Sequence, residues 1–212
     1  MKKYLVLANI QKSKNTFCLR VERPNVVIKS GQCFNVGIPG FDINREYSMY
    51  SGAKADYLEF LIREVDNGLV SSHLRKLQAG DVVEIDGPYG EFCIPDHKQK
   101  SKFVFVASGT GIAPFHSFIK TYPHINYTII HGIRYSDEAY DMQDYRVGSY
   151  IPCISKNING QSLRVTDYLC QNQVTIDSMI YLCGNRNMII DSVQIFLDQG
   201  ISSDQIISEV FF

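Results

Sequence analysis

Phe103-Val104-Phe105-Val106-Ala107 runs directly into Ser108-Gly109-Thr110-Gly111-Ile112-Ala113-Pro114, and this stretch decides the fold. An unbroken apolar run of this length fits a strand covered on both faces of a parallel sheet, where no polar alternation is needed. The small residues after it predict a tight turn, and residues 115–122 continue as a helix. Strand, glycine turn and helix form the unit of a doubly wound α/β fold. The same alternation continues at 127–131 and 151–154, then at 178–183 with a helix near 191–199.

The preceding half has a different grammar. Short runs rich in β-branched and aromatic residues, at 16–21, 33–38, 58–62 and 82–85, are separated by Gly, Asn, Asp and Pro. That spacing predicts a small antiparallel β-barrel, interrupted by one helix at 71–77. The polar run Asp96-His97-Lys98-Gln99-Lys100 reads as the linker. Two domains are therefore expected: a β-barrel over 1–97, then an α/β doubly wound parallel sheet over 98–212.

The chain has 212 residues, 45% hydrophobic and 20% charged, with a net charge of −1. This composition is that of a globular domain pair and gives no reason to expect nucleic acid or an anionic membrane as a partner. A small excess of Lys and Arg in the first half would suit an acidic partner protein. The six cysteines are scattered, without the spacing of a zinc or iron–sulfur site, so no metal is expected. With neither a leader-like segment nor a membrane-length apolar run, the expected location is the cytoplasm and the expected state a monomer.

Several stretches carry chemistry. Gly109-Thr110-Gly111 is either a plain tight connection or a place where backbone N–H groups meet a pyrophosphate; Pro114 stands where the dinucleotide fingerprint would have its third glycine. Cys183-Gly184-Asn185 follows another buried strand, and Cys183 is either a packed strand-end thiol or one that faces a ligand. In the barrel half, Arg45, Tyr47 and Ser48 alternate as on a strand, offering a phosphate fork, a ring for stacking and a small donor. Gly68 through Ser72 begins a helix. Gly87-Pro88-Tyr89-Gly90 reads as a structural turn. The terminal Glu209-Val210-Phe211-Phe212 is either a last strand tucked into the core or a ring held against a flat cofactor.

In this order along the whole chain, these stretches resemble the ferredoxin–NADP reductase family, specifically the short bacterial ferredoxin/flavodoxin reductases. The resemblance implies FAD on the barrel, NADP(H) on the α/β domain, and ferredoxin or flavodoxin, a small acidic electron carrier, as the partner. It implies that Tyr47 stacks on the flavin, that Ser48 bonds near N5, and that Arg45 and Ser71 hold the FAD pyrophosphate. Leu61 and Gly68 join that FAD set, with Phe212 covering the opposite face of the ring. Ser48, Cys183 and Glu209 correspond to the polar residues around the point of hydride transfer.

For the nucleotide, the resemblance assigns Gly109, Thr110, Gly111, Cys183, Gly184 and Asn185, together with Arg134, Ser155, Lys156 and Arg164. The family's arginines for the adenosine 2′-phosphate are matched by Arg134 and Arg164, with Lys156 as the third cation. Lysine keeps the charge and loses the bidentate fork, so NADPH is the expected but softened preference; Lys156 as a merely solvated side chain is the alternative. The lack of a cysteine cluster speaks against a fused ferredoxin domain. Two other roles use the same motifs: the reductase component of an oxygenase, and a non-catalytic flavin or nucleotide-binding regulator.

Overall fold

The computed structural model describes residues 1–156, 160 and 162–211, and the chain divides by its contacts into two units. The first unit comprises Met1–Ile94 with Ala113–Thr121. Its six strands are β1 (Lys2–Ser13), β2 (Thr16–Glu22), β3 (Cys33–Gly37), β4 (Asn44–Ser48), β5 (Tyr57–Arg63) and β6 (Val82–Tyr89). They pair antiparallel in the order β4-β3-β6-β1-β2-β5. A bridge from Met49 to Phe60, with Tyr50 N–H donating to Glu59 O at 2.7 Å, joins the two edges into a barrel.

Period-two patterning explains the interior. Phe17, Leu19 and Val21 of β2 share one buried cluster with Phe34 and Val36 of β3, Leu58, Phe60 and Ile62 of β5, and Val83 and Ile85 of β6. The Phe34 and Phe60 rings meet edge to face at 5.8 Å, a favoured aromatic geometry.

Two stretches of this unit differ from the local sequence expectation. Gly87-Pro88-Tyr89 is no turn but the continuation of β6. Gly87 sits at φ +136°, and a Cβ there would lie 2.8 Å from the Phe34 ring, so glycine lets the strand pass close over the core. Helix α1 spans Leu69–Leu74 rather than 71–77. It stops early because Asn9, on β1, reaches the carbonyls of Leu74, Arg75 and Leu77 at 3.0, 3.1 and 2.8 Å. A cap supplied from so far along the chain leaves no local sign.

Helix α2 (Ala113–Thr121) belongs to this first unit. His116 stacks on Tyr50 at 3.8 Å and donates from Nδ1 to Tyr50 O at 2.7 Å. Ser117 and Ser30 share a hydroxyl bond of 2.9 Å, and Thr121 Oγ1 accepts from Ala53 N–H at 2.8 Å.

The second unit comprises Pro95–Ile112 with Tyr122–Phe212. Its strands are β7 (Lys102–Ser108), β8 (Asn126–Ile133), β9 (Tyr150–Ile154), β10 (Met179–Gly184) and β11 (Ile206–Val210). All pairs are parallel, in the order β11-β10-β7-β8-β9. Strand order reverses between β7 and β10, and in such sheets the crevice outside the carboxyl ends at that reversal receives ligands. Every residue of β10 is buried, as its apolar run requires.

Helix α4 (Arg186–Asp198) starts earlier than the 191 expected, because Asn185 caps it: Oδ1 accepts from Asn187 N–H at 3.0 Å and from Met188 N–H at 3.4 Å. Helix α3 (Val165–Gln171) lies between β9 and β10, where the strand–turn–helix alternation calls for one. The connection from β8 to β9 departs from the expected alternation, having only two 3-10 turns, Ser136–Glu138 and Met142–Asp144. Asp141 between them is left-handed, with φ +49°, which breaks a continuing helix. Among the described residues no helix is long and apolar enough to cross a membrane.

Candidate functional site

The glycine turn after β7 and the Cys183-Gly184-Asn185 turn after β10 interlock at the strand-order reversal. Ser108 Oγ accepts from Asn185 N–H at 2.8 Å. A Cβ on Gly184, at φ +127°, would stand 2.4 Å from that same oxygen, and one on Gly111 would stand 2.4 Å from Cys183 O. Both glycines therefore permit an approach no other residue allows. Gly109 differs: its φ is +54° and a Cβ there would meet nothing within 4 Å, so this side of the turn is open.

The end of the chain lies along the same edge. Glu209 is in register with Cys183 on the paired strands β11 and β10, and Phe211 N–H donates to Gly184 O at 2.9 Å. The strand reading of the terminus thus holds through Val210, while Phe212 lies outside the described residues. Cys183 is fully buried, and burial with the Glu209 carboxylate raises its thiol pKa well above the ordinary value. It is a neutral S–H, not a thiolate nucleophile. Asn185 spends Oδ1 on the α4 cap and its N–H on Ser108, so its side-chain NH₂ is what it can offer a ligand.

Further along this edge, Ser155 N–H donates to Ile133 O and Lys156 N–H to Arg134 O, both at 2.9 Å, zipping together the ends of β8 and β9. Ser155 Oγ also donates to Ile133 O at 3.1 Å. Leu163 N–H returns to Ile154 O at 2.9 Å, which brings Arg164, the residue capping α3, to the same place. Arg134, Lys156 and Arg164 are all exposed there, and Lys156 Nζ lies 6.0 Å above the Tyr135 ring. Two carboxylates temper this cationic edge: Glu138 accepts from Arg134 N–H at 2.7 Å and Asp167 from Arg164 N–H at 2.9 Å.

On the barrel, Arg45 is exposed, with Nη1 donating to Asn44 O at 2.7 Å. Tyr47 is half-buried against the barrel core, 6.5 Å from the Phe60 ring, and burial raises its hydroxyl pKa to about 12. Ser48 is buried at the end of β4. Leu61 is buried on the face of β5 opposite Phe60 and Ile62. Gly68 is the residue before α1, and Ser71 Oγ turns back to accept from Val65 N–H at 3.1 Å.

Two residue models of known families match the chain: an oxidoreductase FAD-binding domain over residues 5–94 and an oxidoreductase NAD-binding domain over residues 105–194. The fold is that of a ferredoxin NADP+ reductase from Neisseria gonorrhoeae solved with FAD and NADP, at a TM-score of 0.88 and 24% identity, covering 100% of this chain and 98% of that one. The chain belongs to the ferredoxin–NADP reductase family. As a member it is an oxidoreductase with an FAD-binding barrel and a nicotinamide-nucleotide-binding sheet. A propane 2-monooxygenase reductase component from Mycolicibacterium smegmatis is 30% identical over 86% of this chain and 59% of that protein. A toluate 1,2-dioxygenase electron transfer component from Pseudomonas putida is 29% identical over 95% of this chain and 65% of that protein. The chain thus spans under two thirds of the length of these reductase relatives.

Sequence reasoning missed Ser108, whose hydroxyl ties the two turns, and the pair His131 and Tyr150. His131 is fully buried; Nε2 donates to Gly109 O at 2.7 Å and Nδ1 accepts from Tyr150 Oη at 2.8 Å. The only signal available was a histidine inside an otherwise apolar strand. Burial lowers its pKa to about 4. In the unfolded chain the group titrates near 6.5, so on acidification the unfolded state takes up the proton first. Stability is therefore retained above pH ~6.5 and falls by up to about 3 kcal/mol on the way to pH ~4. Burial raises the hydroxyl pKa of the neighbouring Tyr150 well above its ordinary value, so it stays neutral throughout that window. Urea unfolding at pH 7.5, 5.5 and 4.5 checks this, and the His131→Gln protein should lack that component of the slope.

Proposed function

We propose that the protein is an NADPH-dependent, FAD-containing reductase that delivers single electrons to ferredoxin or flavodoxin. The observation that carries this reading is the interlock of the two glycine turns at the strand-order reversal, with Glu209 in register beside them. The cationic ends of β8 and β9 support the choice of NADPH over NADH.

The residues present fit both groups. On the barrel, the Arg45 guanidinium suits a pyrophosphate, the half-buried Tyr47 ring a flat heterocycle, and Ser48 a hydrogen bond near its reacting edge. Leu61, Gly68 and Ser71 complete the FAD set in this reading. On the sheet, Gly109, Thr110, Gly111 and Gly184 bring backbone toward the nucleotide, while Arg134, Ser155, Lys156 and Arg164 receive its adenosine 2′-phosphate. Bound FAD supplies the acceptor for a hydride from the nicotinamide and a store from which electrons leave one at a time. The protein moves no proton in this scheme. Cys183, a neutral and fully buried thiol, and the Glu209 carboxylate in register with it would flank the edge that receives the nicotinamide, and neither would react. The Phe212 ring, covering the flavin in this reading, lies outside the described residues.

The relatives named as reductase components favour a second reading, in which the electrons go to an oxygenase. Steady-state oxidation of NADPH, with cytochrome c as terminal acceptor and ferredoxin or flavodoxin added in turn, separates the two. A rise of at least tenfold with either carrier is expected. Turnover that neither carrier stimulates would remove the ferredoxin/flavodoxin assignment and leave the oxygenase one.

A further inference from the structure

The hydrogen bond from His131 Nε2 reaches past its own strand to the carbonyl of Gly109, the first residue of the glycine turn. A carbonyl only accepts, so Nε2 carries the proton and Nδ1 is left as an acceptor for the Tyr150 hydroxyl at 2.8 Å. Both ring nitrogens are thereby committed, and the ring is locked in one tautomer and one orientation. Tyr150 is itself held: its ring stacks on Tyr145 at 4.8 Å and 7° and meets the His131 ring edge to face at 5.9 Å. Tyr140 packs against His131 from the loop after β8, at 6.4 Å. A fully buried imidazole in an aromatic surround is thus built under a turn whose outer side is open.

Peptide geometry gives this anchor a consequence. Gly109 C=O and Thr110 N–H belong to one planar trans peptide, so the two bonds point in opposite directions. Drawing the carbonyl inward to His131 turns the Thr110 N–H outward, at the start of a 3-10 turn where the first N–H groups have no partner within the turn. Gly109 at φ +54° has the freedom to let that peptide flip, so the orientation needs an external hold.

We infer that His131 is a positioning residue for nucleotide binding: through Gly109 it fixes the Thr110 amide N–H toward the pyrophosphate of the incoming dinucleotide, and Tyr150 fixes His131. This rests on the nucleotide-binding role assigned above to the glycine turn. It predicts an effect confined to ligands that carry a pyrophosphate, because the 2′-phosphate is assigned to the distinct cations on β8 and β9.

The test is calorimetric titration of the flavin-loaded protein with NADP+ and, separately, with adenosine 2′-phosphate, which has no pyrophosphate. His131→Leu should weaken NADP+ about tenfold, the equivalent of losing one hydrogen bond of about 1.4 kcal/mol, and leave adenosine 2′-phosphate within twofold. His131→Gln, which restores a donor at the position of Nε2, should recover most of the loss. Tyr150→Phe removes only the hydroxyl and should weaken NADP+ about threefold; it carries the test if the leucine variant does not fold. Unchanged NADP+ affinity in the variants, or an equal loss for both ligands, would overturn the inference. A wild-type protein that binds neither ligand would instead overturn the nucleotide-binding reading on which it stands.

Discussion

Replacing Gly111 with alanine should slow NADPH-driven flavin reduction by about 100-fold while leaving FAD content unchanged. The added Cβ would stand 2.4 Å from Cys183 O, 2.7 Å from Cys183 C and 2.8 Å from Gly184 Cα. All three are backbone atoms, so no side chain can swing away to make room. Gly184 cannot retreat either, because its own Cα already faces Ser108 so closely that a methyl there would be 2.4 Å from Oγ. The carboxyl ends of β7 and β10 must therefore separate, carrying the Cys183 edge with them. Overpacking of this kind costs about 1–3 kcal/mol of stability, and a displacement near 1 Å at a reacting centre costs about 10²-fold in rate. FAD content should survive, since the residues assigned to it, Phe212 apart, belong to the first unit. Gly148→Ala, in the loop before β9 and away from both turns, is the control: nothing lies within 4 Å of its Cβ, so only the cost of a left-handed alanine, ~1 kcal/mol, applies. Stopped-flow reduction and the flavin-to-protein absorbance ratio measure both effects, and equal rates for wild type and Gly111→Ala would contradict the assignment of these turns.

Removing the cationic edge should change which nucleotide is used. In the Arg134→Ala/Lys156→Ala/Arg164→Ala protein the KM for NADPH should rise about 10²-fold or more, from the loss of charge-assisted bonds worth roughly 1.5–3 kcal/mol each. The KM for NADH should stay within about twofold, because NADH lacks the phosphate these groups are proposed to receive. Of the single changes, Lys156→Ala should be the mildest, as lysine offers a point charge without the planar fork of arginine. All three side chains are exposed, so the NADPH advantage should shrink as ionic strength rises. Parallel losses for both nucleotides would mean that the edge supports the fold and not the 2′-phosphate.

How much of this was legible in the chain depends on the range of the interactions. The five-residue apolar run of β7 and the β-branched and aromatic runs of β2 and β5 mark strands locally, and all three elements form where those runs lie. The glycine turns were legible as turns, because only small residues suit such positions. What they are pressed against was not: the 2.4 Å approach of Gly111 to Cys183 joins residues 72 apart in sequence. Helix α1 ends where Asn9 caps it from another strand, and the loop between β8 and β9 fails to form an α-helix at Asp141. His131 was hidden for the same reason. Its meaning lies in Gly109 and Tyr150, which only the sheet brings within reach.

The proposed reaction is hydride transfer from NADPH to a flavin bound on the barrel. Anaerobic mixing of the purified protein with NADPH or NADH at equal concentration, followed at the flavin absorption band, tests it most directly. The expected result is a yellow protein bleached rapidly by NADPH and at least tenfold more slowly by NADH. A colourless protein, or a yellow one that neither nucleotide reduces, would contradict it.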